Sequence, residues 1–115
     1  MKVQNRVKNH EEFSEIVHSS QVEKNSYFTC HYKKNDFTYT RIGISVSKRL
    51  GNAVHRNKVK RQIRQMVNEL LGLTDPWNLI IVARAAYDIN DFAKGKEQLQ
   101  SLLQIIRRKL DDKKS

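Results

Sequence analysis

Disulfide chemistry is excluded at the outset, because Cys30 is the sole cysteine. It has no internal partner and no second thiolate with which to hold zinc. Aromatic residues are scarce, at 8%, which argues against a large interior ligand cavity. Long hydrophobic runs are missing too: nothing approaches the roughly 20 apolar residues of a membrane-spanning helix. The stretch from Met1 to Lys8 is polar and basic, without the apolar segment of a secretory signal. These absences point to a reducing, cytoplasmic setting with no membrane partner. At 115 residues and 38% apolar content, the chain suits a single domain, 1–115, with one modest core; residues 1–8 and 111–115 are expected to fray.

Acidic residues are the most unevenly missing type. Lys and Arg number 22 against 12 Asp and Glu, a formal net charge of +10, yet no acid lies between Phe37 and Asn68. That stretch holds Arg41, Lys48, Arg49, Arg56, Lys58, Lys60, Arg61 and Arg64. Like charges gathered in this way repel one another in the folded state, so they imply a polyanionic partner more strongly than a merely solvated face. The acids present are scattered, whereas a protein nuclease or phosphatase needs clustered carboxylates for its metals. Glu11 and Glu15 share a helix face and read as solvated, and Asp111 and Asp112 fall in the tail. His10, His18, His31 and His55 are of a residue type that could in principle do acid–base chemistry, but none stands at metal-ligand spacing from another ligand. No catalytic residue and no metal ligand is therefore assigned to the protein. Around Gly43 to Arg49 the GxxxxGK[ST] pattern of a phosphate loop is absent.

Periodicity places these residues. Asn9 with Glu12 resembles a capping box, and Phe13, Ile16 and Val17 recur at helical spacing, predicting a helix over 9–19. From Ser26 to Lys34 a strand puts Phe28, Cys30 and Tyr32 on one face, with Tyr27, Thr29 and His31 on the other. Cys30 then reads as a small buried thiol. Tyr27 and His31 either stack on unpaired bases or pack under the first helix. After a turn at Lys33 to Asp36, Thr38 to Ser47 reads as a second strand, and the short polar connection suggests an antiparallel hairpin. Leu50 to His55 is a loop.

The following helix, Arg56 to Leu71, gathers Val59, Ile63, Met66, Val67 and Leu70 on one side. Arg56, Lys60 and Arg64 form a row at i, i+4 and i+8, with Asn57, Arg61 and Asn68 alongside. A core-facing stripe thus borders a stripe suited to phosphates. Gly72 to Trp77, with Pro76, ends this helix, and Trp77 reads as a core or rim anchor. The apolar run Asn78 to Ala83 suits a strand buried on both faces. A last helix, Asp91 to Leu110, buries Leu99, Leu102, Leu103, Ile106 and Leu110. The class is α/β, an α+β two-layer sandwich: helices on a small mixed sheet in the order α-β-β-α-β-α, with allowance for an extra short N-terminal strand. The general rule makes its βαβ unit right-handed.

The run from Arg41 to Arg64, with Gly51-Asn52-Ala53-Val54, one further residue, Arg56-Asn57 and then a basic helix, strongly resembles the bacterial ribonuclease P protein family. Asn5-Arg6 before a helix holding Phe13, and Ile80 to Arg84, extend the likeness over the whole chain. The resemblance implies a ribosomal protein S5 domain 2-like fold with a left-handed βαβ crossover, against the general rule. It implies that catalysis belongs to a large RNA, which removes the 5′ leader of precursor tRNA with magnesium ions. The protein would be an accessory subunit that holds no cofactor itself. Its partners would be ribonuclease P RNA and precursor tRNA, with no obligate protein partner. By resemblance, Arg56, Asn57, Lys58, Lys60, Arg61 and Arg64 contact the RNA, supported by Lys48, Arg49 and Asn52. Arginine forks two donors onto a phosphate where lysine acts as a point charge, and Asn57 is alternatively a helix cap. Phe13, Val17 and His31 match the family's leader cleft between the first helix and the sheet. Lys58 stands where arginine is frequent, Val17 where some relatives are aromatic, and His31 where tyrosine is common. A structural RNA-binding protein of the ribosome is the competing reading that size and charge permit.

Overall fold

Asn9 starts the first helix. Its side chain accepts from the backbone N–H groups of Glu11 (2.7 Å) and Glu12 (3.4 Å), satisfying two donors that no helical carbonyl reaches. Helix α1 spans His10–Ser19. There follow β1 (Gln21–Lys24), β2 (Phe28–Lys34), β3 (Arg41–Val46), a 3-10 turn (Lys48–Leu50), α2 (Ala53–Leu70), β4 (Trp77–Ala83) and α3 (Phe92–Asp112). The computed structural model describes residues 5–7, 9–72 and 75–112.

The four strands form one sheet in the order β1-β2-β4-β3. β1 pairs antiparallel with β2, β2 antiparallel with β4, and β3 parallel with β4. The expected hairpin between β2 and β3 is therefore not formed: β4 lies between them. The reason is burial. β4 is the most apolar strand, covered on both faces, and belongs at the centre, where neighbours satisfy both of its edges. The connection from β2 to β3 runs instead around the end of β4. Asn35 organises it, accepting from Phe37 N–H at 2.9 Å and donating to the Tyr39 carbonyl and to Asn78 Oδ1.

Two further differences concern the edges. The extra strand is β1, after α1 rather than before it; its four residues are mostly exposed and carry charge, features that discourage pairing with other chains. Before α1, Arg6 makes only an isolated parallel bridge to Ile42. Residues 5–7, expected to fray, are held there: Val7 N–H donates to the Ile42 carbonyl, and buried Asn5 donates to the Thr40 carbonyl at 2.6 Å. Likewise 111 and 112 belong to α3. Residues 1–4, 8 and 113–115 lie outside the described set.

One face of the sheet carries the main core. Phe28, Cys30, Tyr32, Ile42, Leu79 and Ile81 meet Val59, Ile63, Met66 and Val67 of α2 and Leu99, Leu102, Leu103, Ile106 and Leu110 of α3. These are the expected two layers. Each such side chain contributes about 1.5–3 kcal/mol on leaving water. α1 adds a partial cover on the opposite face, where Ile16 and Ile80 are buried outside that cluster. No described helix is long and apolar enough to cross a membrane.

Burial pushes both the Cys30 thiol and the Tyr87 phenol up to about 12, from 9.0 and 10.0. Both are neutral when protonated, so a raised folded value favours folding at low pH. Above pH 9 the unfolded chain begins to ionise while the folded one does not, and stability should fall progressively towards pH 12. Urea midpoints measured at pH 8, 10 and 11 check this. At pH 8 iodoacetamide should modify Cys30 only in urea.

Candidate nucleic-acid interface

The basic surface starts where β3 ends. Ser47 Oγ accepts from Arg49 N–H at 3.2 Å, opening the 3-10 turn that carries Lys48 and Arg49. The chain then reverses at Gly51, whose φ of 127° is open to glycine and strained for other residues. A Cβ there would also lie 3.1 Å from the His55 ring. Asn52 caps α2, its side chain accepting from His55 N–H at 2.9 Å. Asn57, weighed as a cap, is instead an exposed residue inside the helix, which begins earlier than expected, at Ala53.

Along α2 the spacing of 3.6 residues per turn sorts the side chains. Val59, Ile63, Met66 and Val67 are buried; Asn57, Lys58, Arg61 and Arg64 are exposed, and Arg56 and Lys60 half-buried on the flank. The Nε of Arg56 is covered and has no hydrogen-bond partner among the described residues. The first turn of α2 contains no acid, so its exposed N–H groups add to the positive field.

Charge distribution distinguishes this surface, since no acid lies between Phe37 and Asn68. Arg41 is neutralised by Glu12 through a two-pronged contact, Nε to Oε1 at 3.0 Å and Nη2 to Oε2 at 2.6 Å. Further cations are also matched: Lys96 with Glu69, Arg107 with Asp75, Lys109 with Glu23. By contrast Lys48, Arg49, Arg56, Lys58, Lys60, Arg61 and Arg64 form no ion pair among the described residues. Seven adjacent uncompensated cations repel one another until an anion neutralises them.

The cleft residues come from two elements. Phe13 and Val17 stand one turn apart on α1, and His31 lies on the α1 side of β2; all three are half-buried. Gly43 forms part of the floor: a Cβ there would fall 2.6 Å from Ile80 Cδ1 and 3.2 Å from the Phe13 ring. Its absence lets that ring lie against the strand. The Nδ1 of His31 is covered without a partner among the described residues, and burial lowers its pKa from 6.5, which favours the neutral imidazole. A neutral flat ring beside Phe13 offers apolar and stacking contacts more than charge.

Tyr27 does not join this cleft. It precedes β2 and is buried in the main core, with Phe28 and Tyr87 ring centroids at 6.1 and 5.4 Å. Packing is thus its role, on the side of Phe28 rather than under α1. Among the described residues no three His, Cys, Asp or Glu side chains come together as a metal site. The sequence reading missed Gln62 and Ile89, which fasten the loop after β4 to α2. A lone glutamine on a helix flank gives no signal of such a contact.

The Ribonuclease P family model matches residues 1–107. The Ribonuclease P protein component of Mesoplasma florum is 40% identical over 105 residues, covering 90% of this chain and 96% of its own. That of Listeria monocytogenes is 38% identical over 109 residues, covering 93% and 92%. Among solved structures, the Staphylococcus aureus RNase P protein superposes with a TM-score of 0.77 at 30% identity, over 89% of this chain and 94% of that one.

Proposed function

Since the chain belongs to the ribonuclease P protein family and is a protein subunit of that ribonucleoprotein, we propose that α2 and the preceding turn grip the ribonuclease P RNA while the α1 cleft takes the 5′ leader of precursor tRNA. RNA binding and tRNA processing follow from the family. The observation that carries the proposed division of labour is the cluster of seven cations on α2 and its preceding turn that form no ion pair among the described residues, in a stretch without any acid. Lys48 and Arg49 would brace the RNA from the turn, and Asn52 would hold the turn against α2. Arg56, Lys58, Lys60, Arg61 and Arg64 would meet phosphates, with Asn57 offering a donor and an acceptor beside them. Phe13, Val17 and His31 would contact the single-stranded leader, Phe13 most closely, because stacking is open to any base.

On this reading catalysis lies with the RNA and takes place in the cytoplasm. On the same reading its magnesium ions would be held by RNA oxygens, hard ligands suited to that cation. A ribosomal role is not favoured, because the family match spans nearly the whole chain.

The test is cleavage of a 5′-extended precursor tRNA at low magnesium by a bacterial ribonuclease P RNA alone, by this protein alone, and by the two together. Cleavage at the mature 5′ end only in the mixture, or much faster there, is expected. No gain on adding the protein refutes the proposal. For the cleft, Phe13→Ala should weaken binding of precursor tRNA by the reconstituted complex about five- to a hundredfold, the loss of one stacked base. Mature tRNA should bind unchanged, and equal losses for both would remove Phe13 from the leader path.

A further inference from the structure

Between α2 and the loop after β4 the surface opens into a pocket of about 680 Å³, within the roughly 300–1,000 Å³ typical of small-ligand sites. Its apolar walls are Val54 and Ile89, from the two elements that border it, and Val54 is 65% exposed. Lys58 and Arg61 also line it, and no carboxylate does so among the described lining residues. His55 and Asn90 supply hydrogen-bonding edges.

The pocket is fixed in place by its own supports. Gln62 Nε2 donates to the Ile89 carbonyl at 2.9 Å, and Gln62 Oε1 accepts from the Tyr87 hydroxyl at 2.7 Å. The Tyr87 ring is itself buried against Phe28 and Tyr27. Loop and helix are thus tied together by the protein's own hydrogen bonds.

A molecule that fits must be apolar across its body, polar at its edge and anionic at one end. We propose that this pocket receives one unpaired nucleotide of the RNA partner, its base between Val54 and Ile89 and its phosphate at Lys58 and Arg61. His55 and Asn90 face the base edge. The inference rests on α2 being an RNA-binding face and deepens it: a surface that otherwise meets only phosphates gains a place that grips a base.

Backbone and side-chain amide NMR of the full chain, titrated with nucleoside 5′-monophosphates, ribose 5-phosphate and inorganic phosphate at millimolar concentration, tests it directly. The nucleotides should shift Ile89, Asn90 and the Gln62 amide, while ribose 5-phosphate and phosphate shift only resonances near Lys58 and Arg61. Shifts at Ile89 and Asn90 that ribose 5-phosphate reproduces, or that no nucleotide produces, overturn the proposal. A second arm measures binding to ribonuclease P RNA across salt, with thermal melts confirming the fold. Ile89→Ser should weaken binding about three- to tenfold with an unchanged salt slope, because a base contact releases no counterion. Unchanged affinity, or a loss that comes with a changed slope, overturns it. If the wild-type protein does not bind that RNA, the functional reading falls, and the nucleotide titration alone decides the pocket.

Discussion

Replacing Arg56, Lys60 and Arg64 together by alanine is expected to weaken RNA binding about a hundredfold at physiological salt and to lower the slope of log K against log salt by about 2.7 units. The three residues form one row along α2, and among the described residues none has an acidic partner to compete with a phosphate. Each phosphate contact on a duplex releases about 0.9 of a counterion, so three contacts set the change in slope, and the salt concentration sets the loss in affinity. The folded state should suffer little, since the cations repel one another and Arg56 and Lys60 are only half-buried. Binding isotherms at four salt concentrations, with a thermal melt of the variant, measure both quantities. An unchanged slope would place the row outside the interface.

The second large effect concerns stability. Phe28→Ala should cost about 3–5 kcal/mol, the usual range for deleting a buried phenyl ring. Phe28 is fully buried, packs edge-on to Tyr87 at 5.6 Å, and begins the strand that pairs with β4 opposite Ala83. Little around it can collapse into the space, because Tyr27 and Tyr87 are held by their own contacts. Against a total of about 5–15 kcal/mol, much of the folded population would be at risk. Urea unfolding should show a lower midpoint with an unchanged m value. Val22→Ala, on the exposed edge strand, should lie within about 0.5 kcal/mol of the parent. A loss below about 1 kcal/mol for Phe28→Ala would mean that the ring is not packed as described.

What the sequence made legible was local. Val59, Ile63, Met66 and Val67 announce the buried stripe of α2 by their spacing, and Leu99, Leu102, Leu103, Ile106 and Leu110 do the same for α3. The basic row follows from the same periodicity, and the acid-free stretch says what kind of partner it meets. The pairing of strands was not legible. Alternation places Phe28 and Cys30 on a core face, yet nothing local says that β4 inserts between β2 and β3; that choice belongs to the most apolar strand competing for the centre. β1 escaped because four mostly exposed residues carry no periodic signal. The start of α2 is hard to read because Ala53, Val54 and His55 follow a glycine and an asparagine, which read as loop until Asn52 is seen capping. Of the cleft, Phe13 and Val17 were legible as one helix face. The part played by Gly43 required knowing that the Phe13 ring lies over it.

A ribosome making this chain emits β2, β3 and α2 ahead of β4, the strand that must join them. Until residue 83 emerges, β1 and β2 can zip together, but β3 has no neighbour on the β4 side and the apolar stripe of α2 has no finished sheet to lie on. The sheet is therefore completed late in translation, by contacts distant in sequence, which are slow to form. In the interval the nascent chain presents a sticky, strongly cationic helix in the most RNA-rich neighbourhood of the cell. The folded surface that sets this helix beside a complete sheet exists only once β4 has slotted into the middle.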